Sequence, residues 1–202
     1  MAYLWIMRIT GGTHRGRPLQ APKGKDTRPT GDKTRESIFN ILRHGNWHGG
    51  VLENAAVLDV FAGTGALGLE ALSQGAKHAA FIEWNHTAAD ICQGNIDALG
   101  ETERAALYKF NATDPVPRPL FLEQRSLVFL DPPSGRYMGA EALKALVEKD
   151  WLKKGAVCVL EMSKKAPEII PADFTVMDER IYGIAKVQFL MWEPRPQDKP
   201  AD

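Results

Sequence analysis

The sequence contains little of what would indicate a disulfide scaffold or a metal protein. Two of its 202 residues are cysteines, Cys92 and Cys158, and both lie in apolar contexts. We expect two buried free thiols in a reducing cytoplasm, the usual state of isolated cysteines of this kind. No metal site is predicted from these cysteines or from the five histidines.

Long apolar runs are also missing, which argues against a membrane-spanning protein. No run approaches the ~18 apolar residues that a membrane helix needs. The start of the chain, Met1–Arg8, lacks the basic and long apolar regions of a signal peptide. Hydrophobic residues make up 44% and charged residues 25% of the chain, as in ordinary globular proteins. We therefore expect a cytoplasmic protein with one large α/β domain and an appendage.

An overall excess of charge is absent too, but the charges are unevenly distributed. Residues 1–45 carry nine Lys or Arg against three acidic residues, a net charge of +6, and the remainder carries −6. A basic segment joined to an acidic body indicates a surface that binds a polyanion at one end of the molecule.

The first 45 residues are predicted to form a basic extension. Residues 6–20 indicate a β-hairpin and residues 21–30 an extended loop. Thr30 or Asp32 can then cap a helix that runs to about Arg43. We predict that residues 46–193 form the catalytic domain and that the proline-rich residues 194–202 form a disordered tail.

From residue 56 onward, short apolar runs alternate with helical patterns. Strands are predicted at 56–60, 78–83, 105–110, 126–130 and 156–162, with helices at 66–74, 86–99 and 140–149. Two last strands, 174–182 and 186–193, have no helix between them, so one must be antiparallel. The pattern predicts a Rossmann-like α/β fold with a mostly parallel seven-stranded sheet, whose ligands bind at the carboxyl ends of the strands.

A glycine-rich turn follows the first of these strands. Gly63 and Gly65 allow a tight turn and a close approach of the backbone to a ligand, and Gly68 allows close packing of the helix against a strand. Alone, this spacing is a weak dinucleotide signal. Asp59, at the strand tip, would repel a pyrophosphate but could accept hydrogen bonds from a cationic amino-acid group. The turn therefore favours S-adenosylmethionine over NAD as the cofactor.

The next two strands also end in polar residues. Glu83 lies twenty residues after Gly63, where a carboxylate can accept both hydroxyls of a ribose. Asn111 follows the third strand, and it or Asp114 could bind the exocyclic amine of an adenine. Together with the glycine turn, these residues predict a cofactor that contains a nucleoside.

The fourth strand runs into Asp131-Pro132-Pro133-Ser134, the most specific signal in the chain. The exocyclic amine of a base is a poor nucleophile because its lone pair is delocalised into the ring. A side-chain oxygen at the first position and the carbonyl at the second can accept the two amine hydrogens and aim the lone pair at a methyl donor. The two prolines would hold these acceptors rigidly.

These motifs resemble those of a known family. The segments 59–68 (Asp-Val-Phe-Ala-Gly-Thr-Gly-Ala-Leu-Gly) and Asp-Pro-Pro at 131–133 are similar to those of amino methyltransferases that use S-adenosylmethionine. The segments 8–17 and 28–40 resemble the bacterial 16S ribosomal RNA guanine-N2 methyltransferases of the small, single-domain type. The resemblance extends from about residue 7 to 193.

The resemblance implies a role for each site residue. It implies that the cofactor contacts Asp59, Gly63, Gly65 and Glu83, with Asn111 near the adenine. It implies that the target amine is received at Asp131, Pro132 and Pro133. It also implies that the basic segment, with Arg8, Arg15, Arg17 and Arg28, contacts 16S RNA in a small subunit or its assembly intermediate. We expect the protein to act as a monomer.

The chain departs from the family at Ser134, where an aromatic residue usually stacks on the flipped-out base. Serine cannot stack, and we predict that Tyr137 supplies the ring instead.

Three other functions remain as alternatives at this point. A DNA adenine-N6 methyltransferase would use the same two acceptors, but the chain lacks a separate domain for recognising a DNA target. An NAD-dependent dehydrogenase is disfavoured by Asp59 and by the absence of a substrate domain. A non-catalytic RNA-binding assembly factor would retain the cofactor pocket without using it.

Overall fold

The protein is described from a computed structural model, which covers residues 7–22, 29–45, 47, 50–133 and 135–194, with the backbone alone at 29 and 30. Arg28, Ser134 and residues 195–202 lie outside the described residues, and so do the expectations placed on them. Within this part of the chain, no helix is long and apolar enough to cross a membrane.

One seven-stranded sheet forms the centre of the molecule. Its strands are β1 (Ala56–Val60), β2 (His78–Ile82), β3 (Ala105–Tyr108), β4 (Arg125–Leu130), β5 (Leu152–Ser163), β6 (Phe174–Tyr182) and β7 (Ala185–Trp192). Their order is β3-β2-β1-β4-β5-β7-β6. Strands β1 to β5 pair in parallel, and β7 lies antiparallel to both β5 and β6. The predicted sheet and its antiparallel strand are confirmed.

In the described part of the chain, four helices accompany the sheet: α1 (Pro29–His44), α2 (Ala66–Ser73), α3 (His86–Leu99) and α4 (Met138–Glu148). The ends of α3 have clear chemical causes. The Asn85 side chain accepts a hydrogen bond from the Ala88 N–H at 3.0 Å, and Gly100 ends the helix with φ = 74°. Helix α1 begins at Pro29, one residue before the first predicted cap. Proline is favoured in the first helical turn because it has no N–H to leave unpaired.

The central strands are buried on both faces, as parallel strands covered by helices must be. One face carries Val57, Phe81 and Phe129 against α1 and α2, and Phe39 of α1 meets Phe129 with ring centroids 5.4 Å apart. The opposite face packs against α4 and Trp151, which is fully buried. Cys92 and Cys158 are free and buried in these two cores, as predicted.

The N-terminal segment differs from the predicted β-hairpin. Residues 7–20 turn back on themselves, but a single bridge, Arg8–Pro18, replaces the two strands, and a 3-10 turn covers Gly12–His14. Polar side chains of α2 compete for the backbone of this segment. The Gly11 N–H donates to Glu70 at 2.7 Å, and the His14 N–H donates to Ser73 Oγ at 2.9 Å. The segment keeps backbone hydrogen bonds of its own, including those from the Ile9 N–H to Arg17 and from the Leu19 N–H to Met7, and it is also fixed to α2.

Candidate active site

The parallel register brings three carboxyl groups to one end of the sheet. Leu130 of β4 pairs with Val60 of β1 and with Leu160 of β5, so Asp131 and Glu161 occupy neighbouring positions on adjacent strands. Side chains alternate between the two faces of a strand. Asp59 is in register with Phe129, and Asp131 and Glu161 each lie two residues beyond the Phe129–Val159 pair. All three therefore point to the face covered by α1 and α2.

These carboxyl groups line a cavity of about 870 Å³. This is within the usual size range of small-molecule sites. The walls come from the glycine turn, from α1, and from the β6–β7 turn. Its polar lining includes Asp32, Thr34, Arg35, Asp59, Thr64, Asp131, Glu161 and Tyr182.

The glycine turn has a strained but well-supported backbone. Phe61, Gly63 and Gly65 all have positive φ, at 62°, 56° and 78°. Phe61 has a side chain, so this conformation stores strain at the edge of the cavity. Among the described residues, a Cβ at Gly63 would meet only the Phe61 carbonyl oxygen, at 3.9 Å. The turn is therefore open to a ligand at Gly63.

The other two glycines serve packing more than ligand access. A Cβ at Gly65 would lie 2.7 Å from Cys92 Sγ, and one at Gly68 would lie 2.3 Å from the ring of Phe81 on β2. Gly68 also donates its N–H to Asp59 Oδ2 at 2.8 Å. The close approach of α2 to the sheet, expected for Gly68, is present.

Asp59 is a carboxyl group held in an unfavourable environment for its charge. It is 2% exposed. Burial raises the pKa of Asp59 to about 8, against the lowering effect of the Gly68 N–H, and the nearby Asp131 and Glu83 carboxylates raise it further. A cationic ligand would reverse this imbalance by favouring the ionised form. The environment of Asp59 is therefore more compatible with a positively charged group than with a phosphate.

Glu83 adjoins the glycine turn but lies outside the lining of the cavity. Its carboxylate accepts hydrogen bonds from the Gly63 N–H at 2.9 Å and the Asn85 N–H at 2.7 Å. Beside it, Trp84 is 65% exposed. Asn111 does not line the cavity either. Its side-chain oxygen accepts from the N–H and the hydroxyl of Thr113, both at 3.1 Å, within its own turn.

Asp131 of the Asp-Pro-Pro segment lines the cavity, and in this segment Asp131 and Pro133 are exposed and Pro132 is buried. Tyr137 lies elsewhere. It precedes α4 with φ = 54°, is 59% exposed, and lines a separate cavity with Pro167 and Ile169. The structure therefore does not place Tyr137 in the main cavity, and its role in stacking stays a prediction.

Two residues of the cavity were missed by the sequence reasoning. Glu161 is half-buried on β5, and burial together with the charge of Asp131 raises its pKa to about 7. Glu161 follows an apolar run, but Met162 and Ser163 continue the strand, so no local feature marks it as a strand end. Arg35 of α1 is buried and bonds Glu70 at 3.2 Å and Asp32 at 2.9 Å. No local pattern around Arg35 predicts this pairing.

The basic side chains of the N-terminal segment are exposed at Arg8, Arg15 and Arg17. Arg17 donates to the Ala98 carbonyl of α3 at 2.6 Å, so it also fastens the segment. Arg15 lines a small polar cavity of about 220 Å³, together with Arg43 of α1. The segment therefore presents positive charge next to α1 and is attached to α2.

The fold and the site together define the class. A sheet in this order with one reversed strand, a glycine turn after β1, and Asp-Pro-Pro after β4 characterise a methyltransferase that uses S-adenosylmethionine as its cofactor. The chain belongs to the family described as Conserved hypothetical protein 95, whose model matches residues 7–191.

Known proteins agree with this assignment. The chain is 35% identical, over 179 residues, to the ribosomal RNA small subunit methyltransferase D of Haemophilus influenzae, covering 88% of this chain and 90% of that one. It is 31% identical to yhhF of Escherichia coli, whose solved structure superposes with a TM-score of 0.76 over 94% of this chain and 99% of that one. An RNA methyltransferase of Salinibacter ruber, solved with S-adenosyl-L-homocysteine, shares the fold at 12% identity with a TM-score of 0.57, covering 91% of this chain and 100% of that one.

Proposed function

We propose that this enzyme methylates the exocyclic N2 amine of a guanine in the 16S ribosomal RNA of the small subunit. The observation that carries the proposal is the position of Asp131, which directly follows β4, precedes Pro132 and lines the same cavity as the glycine turn. The relatedness to a small-subunit RNA methyltransferase of H. influenzae supports ribosomal RNA as the substrate. We propose a cytoplasmic monomer as the working form.

The residues present fit S-adenosylmethionine. Gly63 leaves space for a ligand against the backbone, and the buried carboxyl of Asp59 favours a cationic group nearby. Glu83 has oxygen lone pairs beyond its two backbone bonds for the ribose hydroxyls, and the exposed ring of Trp84 can cover an adenine. Asn111 is proposed to lie near the adenine. When bound, the cofactor supplies an electrophilic methyl group.

The chain itself contributes positioning and a proton acceptor. Asp131 and the Pro132 carbonyl each accept one hydrogen of the target amine, which aims the nitrogen lone pair across the cavity. Pro132 is buried and Pro133 fixes the next φ angle, so the carbonyl is held without a cost in ordering. As the nitrogen gains the methyl group, it loses a proton, and Asp131 is hydrogen-bonded to the group that gives it up. The barrier falls because these acceptors are arranged before the reaction begins.

The basic N-terminal segment would hold the RNA through its phosphates. Arg8, Arg15 and Arg17 are exposed, and Arg28 belongs to the same basic segment. Phosphate contacts release counterions, so binding should weaken steeply with salt.

Neutralising Arg15 should separate RNA binding from cofactor binding. In Arg15→Ala, we expect the slope of log affinity against log salt to fall by about one unit, because one phosphate contact is lost. Calorimetric affinity for S-adenosylmethionine should stay unchanged, since Arg15 lies away from the main cavity. Arg17→Ala should flatten the slope too, and it should also lower thermal stability because it frees the Ala98 carbonyl.

The matched control is Lys154→Ala, at the amino-terminal end of β5 and exposed. It removes the same charge at a residue outside the N-terminal segment and should leave the salt slope unaltered. If Arg15→Ala lost affinity for S-adenosylmethionine as well as for RNA, the segment would be structural, and the proposed RNA contact would be wrong.

Tyr137 is proposed to supply the ring that Ser134 cannot. Tyr137→Ala should lower kcat/KM for RNA methylation about tenfold or more, because stacking on a flipped base contributes about 1–3 kcal/mol. Tyr137→Phe keeps the ring and should retain most of the activity. Steady-state kinetics on the natural substrate would measure both variants, and an unchanged rate in Tyr137→Ala would contradict the role.

The function itself is tested by incubating the enzyme and a labelled methyl donor with small subunits from a strain that lacks it. Mapping the modified nucleotide should find label on a guanine N2. Label on DNA adenine alone would support the DNA methyltransferase. If no substrate is labelled and S-adenosylmethionine does not bind in calorimetry, the protein is a non-catalytic RNA-binding factor instead.

A further inference from the structure

We infer that Glu161 selects guanine by accepting a hydrogen bond from the N1–H of the target base. This inference rests on the proposed function and adds a specificity residue to it. Three sets of observations carry it: the place of Glu161 in the sheet, the shape of the guanine edge, and the charges around the carboxyl group.

Glu161 lies on the side of Asp131 that is away from the glycine turn. The strand order β2-β1-β4-β5 places the turn and Glu83 over β1 and β2, Asp131 over β4, and Glu161 over β5. The lone pair of an aryl amine is roughly perpendicular to the ring, so a base whose amine is held at Asp131 with the lone pair towards the glycine turn can extend from β4 over β5. The atoms next to that amine therefore fall over β5, where Glu161 lines the same cavity.

Guanine and adenine present different atoms beside the amine. In guanine, the ring nitrogen N1 carries a hydrogen next to the N2 amine, so two neighbouring donors face the protein. In adenine, the ring nitrogen beside the N6 amine carries a lone pair. Two neighbouring carboxylates are acceptors when ionised, and they match the guanine edge alone. A buried acceptor left facing a lone pair is costly, which is how a polar site rejects an analogue lacking the right hydrogen. Asp131-Pro132 does not distinguish the two amines, and Glu161 supplies the missing discrimination.

The environment of Glu161 makes its protonation state matter near neutral pH. Burial and then the Asp131 charge raise the pKa of Glu161 to about 7. The other titratable groups that line the cavity are Asp59 of β1, Asp32 and Arg35 of α1, and Tyr182 of β6. Above this pKa the carboxylate accepts from guanine N1–H. Below it, the protonated carboxyl can instead donate to a ring nitrogen that lacks a hydrogen. Selectivity for guanine should therefore rise as the pH rises through this range.

The test compares guanine with 2-aminopurine, which carries the same 2-amino group but has no hydrogen on N1. Small subunits are rebuilt with 16S RNA that contains either base at the mapped target position. Wild-type enzyme should prefer guanine by about 100-fold in kcat/KM, as expected for a site built to bond a substrate hydrogen. In Glu161→Gln the side-chain amide can donate to the bare ring nitrogen, and the preference should shrink to about fivefold or less. Affinity for S-adenosylmethionine, measured by calorimetry, should stay within about threefold of wild type.

A pH series gives a second, independent readout. The guanine preference of the wild type should increase between about pH 6 and pH 8, while Glu161→Gln should show no such change because it does not titrate. Asp131 is retained in both enzymes, so its own titration cannot account for a difference between them.

Three results would overturn the inference. One is a wild-type enzyme that methylates both bases equally well, since nothing then reads N1–H. Another is a Glu161→Gln variant that loses activity on both bases by the same factor, which would make Glu161 a structural or cofactor-side group. The third is methylation of neither RNA by wild type, which would remove the proposed function as well and is thereby distinguished from the first two.

Discussion

Asp131→Ala should lower kcat/KM for RNA methylation about 1000-fold, the largest effect expected for any single side chain of the site. The variant loses the acceptor for one amine hydrogen, so the nitrogen lone pair is no longer directed at the methyl donor. It also loses the group that takes the amine proton. Asp131 is exposed at the end of β4, so its removal should leave the core intact. Single-turnover kinetics with saturating cofactor would measure the loss directly.

Asp131→Asn separates the two roles of this residue. The amide oxygen still accepts a hydrogen bond, but asparagine takes up no proton. If positioning dominates, the variant should lose only about tenfold, and if proton acceptance dominates, it should approach the alanine variant. Thermal unfolding of both variants should match wild type. An alanine variant that keeps activity within about tenfold of wild type would show that Asp131 does not receive the amine. The proposed position of the reaction would then be wrong.

The centre of the sheet was predictable because β1, β2 and β4 are short and mostly apolar. Strand β1 is buried at every position from Ala56 to Val60, and parallel strands covered on both faces have this continuous pattern. The bounds of α3 were predictable as well, because the Asn85 side chain caps its start and Gly100 ends it. The antiparallel strand followed from the missing helix between the last two strands. These signals are local, and each can be read from a few neighbouring residues.

The N-terminal segment was less predictable because its partners lie far away in sequence. Thr10 and Gly11 bond Glu70, which is about 60 residues later. Their backbone groups are paired with a side chain rather than with a second strand. Turn signals at Gly12 and Gly16 predict a reversal correctly but do not reveal which groups the reversal will bond.

The position of each candidate site residue in its strand determined whether the sequence could identify it. Asp131 is followed at once by two prolines, which mark the end of β4. Glu161 is followed by Met162 and Ser163, which continue β5, so nothing in the local sequence marks it as a strand end. Its place beside Asp131 follows only from the register with β4, a relation between two separate strands. Asp59 was recognised, but its raised pKa required knowing how deeply the sheet buries it.

Glu70 joins the N-terminal segment, α1 and α2, and its removal should cause the largest loss of stability. It is fully buried and accepts hydrogen bonds from the backbone and hydroxyl of Thr10, the Gly11 N–H, Arg35 and Gln74. Glu70→Ala leaves the buried guanidinium of Arg35 without this counter-charge, which typically costs about 3–5 kcal/mol. Glu70→Gln keeps the shape and half of the acceptors and should cost about 1–3 kcal/mol.

Denaturant unfolding would measure these losses as a shift in midpoint at constant m-value. Glu103→Ala, at an exposed acidic residue, is the matched control and should stay within about 0.5 kcal/mol of wild type. Removing both charges in Arg35→Met with Glu70→Leu should cost less than Glu70→Ala alone, because no buried charge is then left unpaired. A Glu70→Ala variant within about 1 kcal/mol of wild type would show that the segment is held mainly by the packing of Ile9 and Leu19. The expected loss, in contrast, would mean that the N-terminal segment and the cavity wall formed by α1 depend on one buried carboxylate.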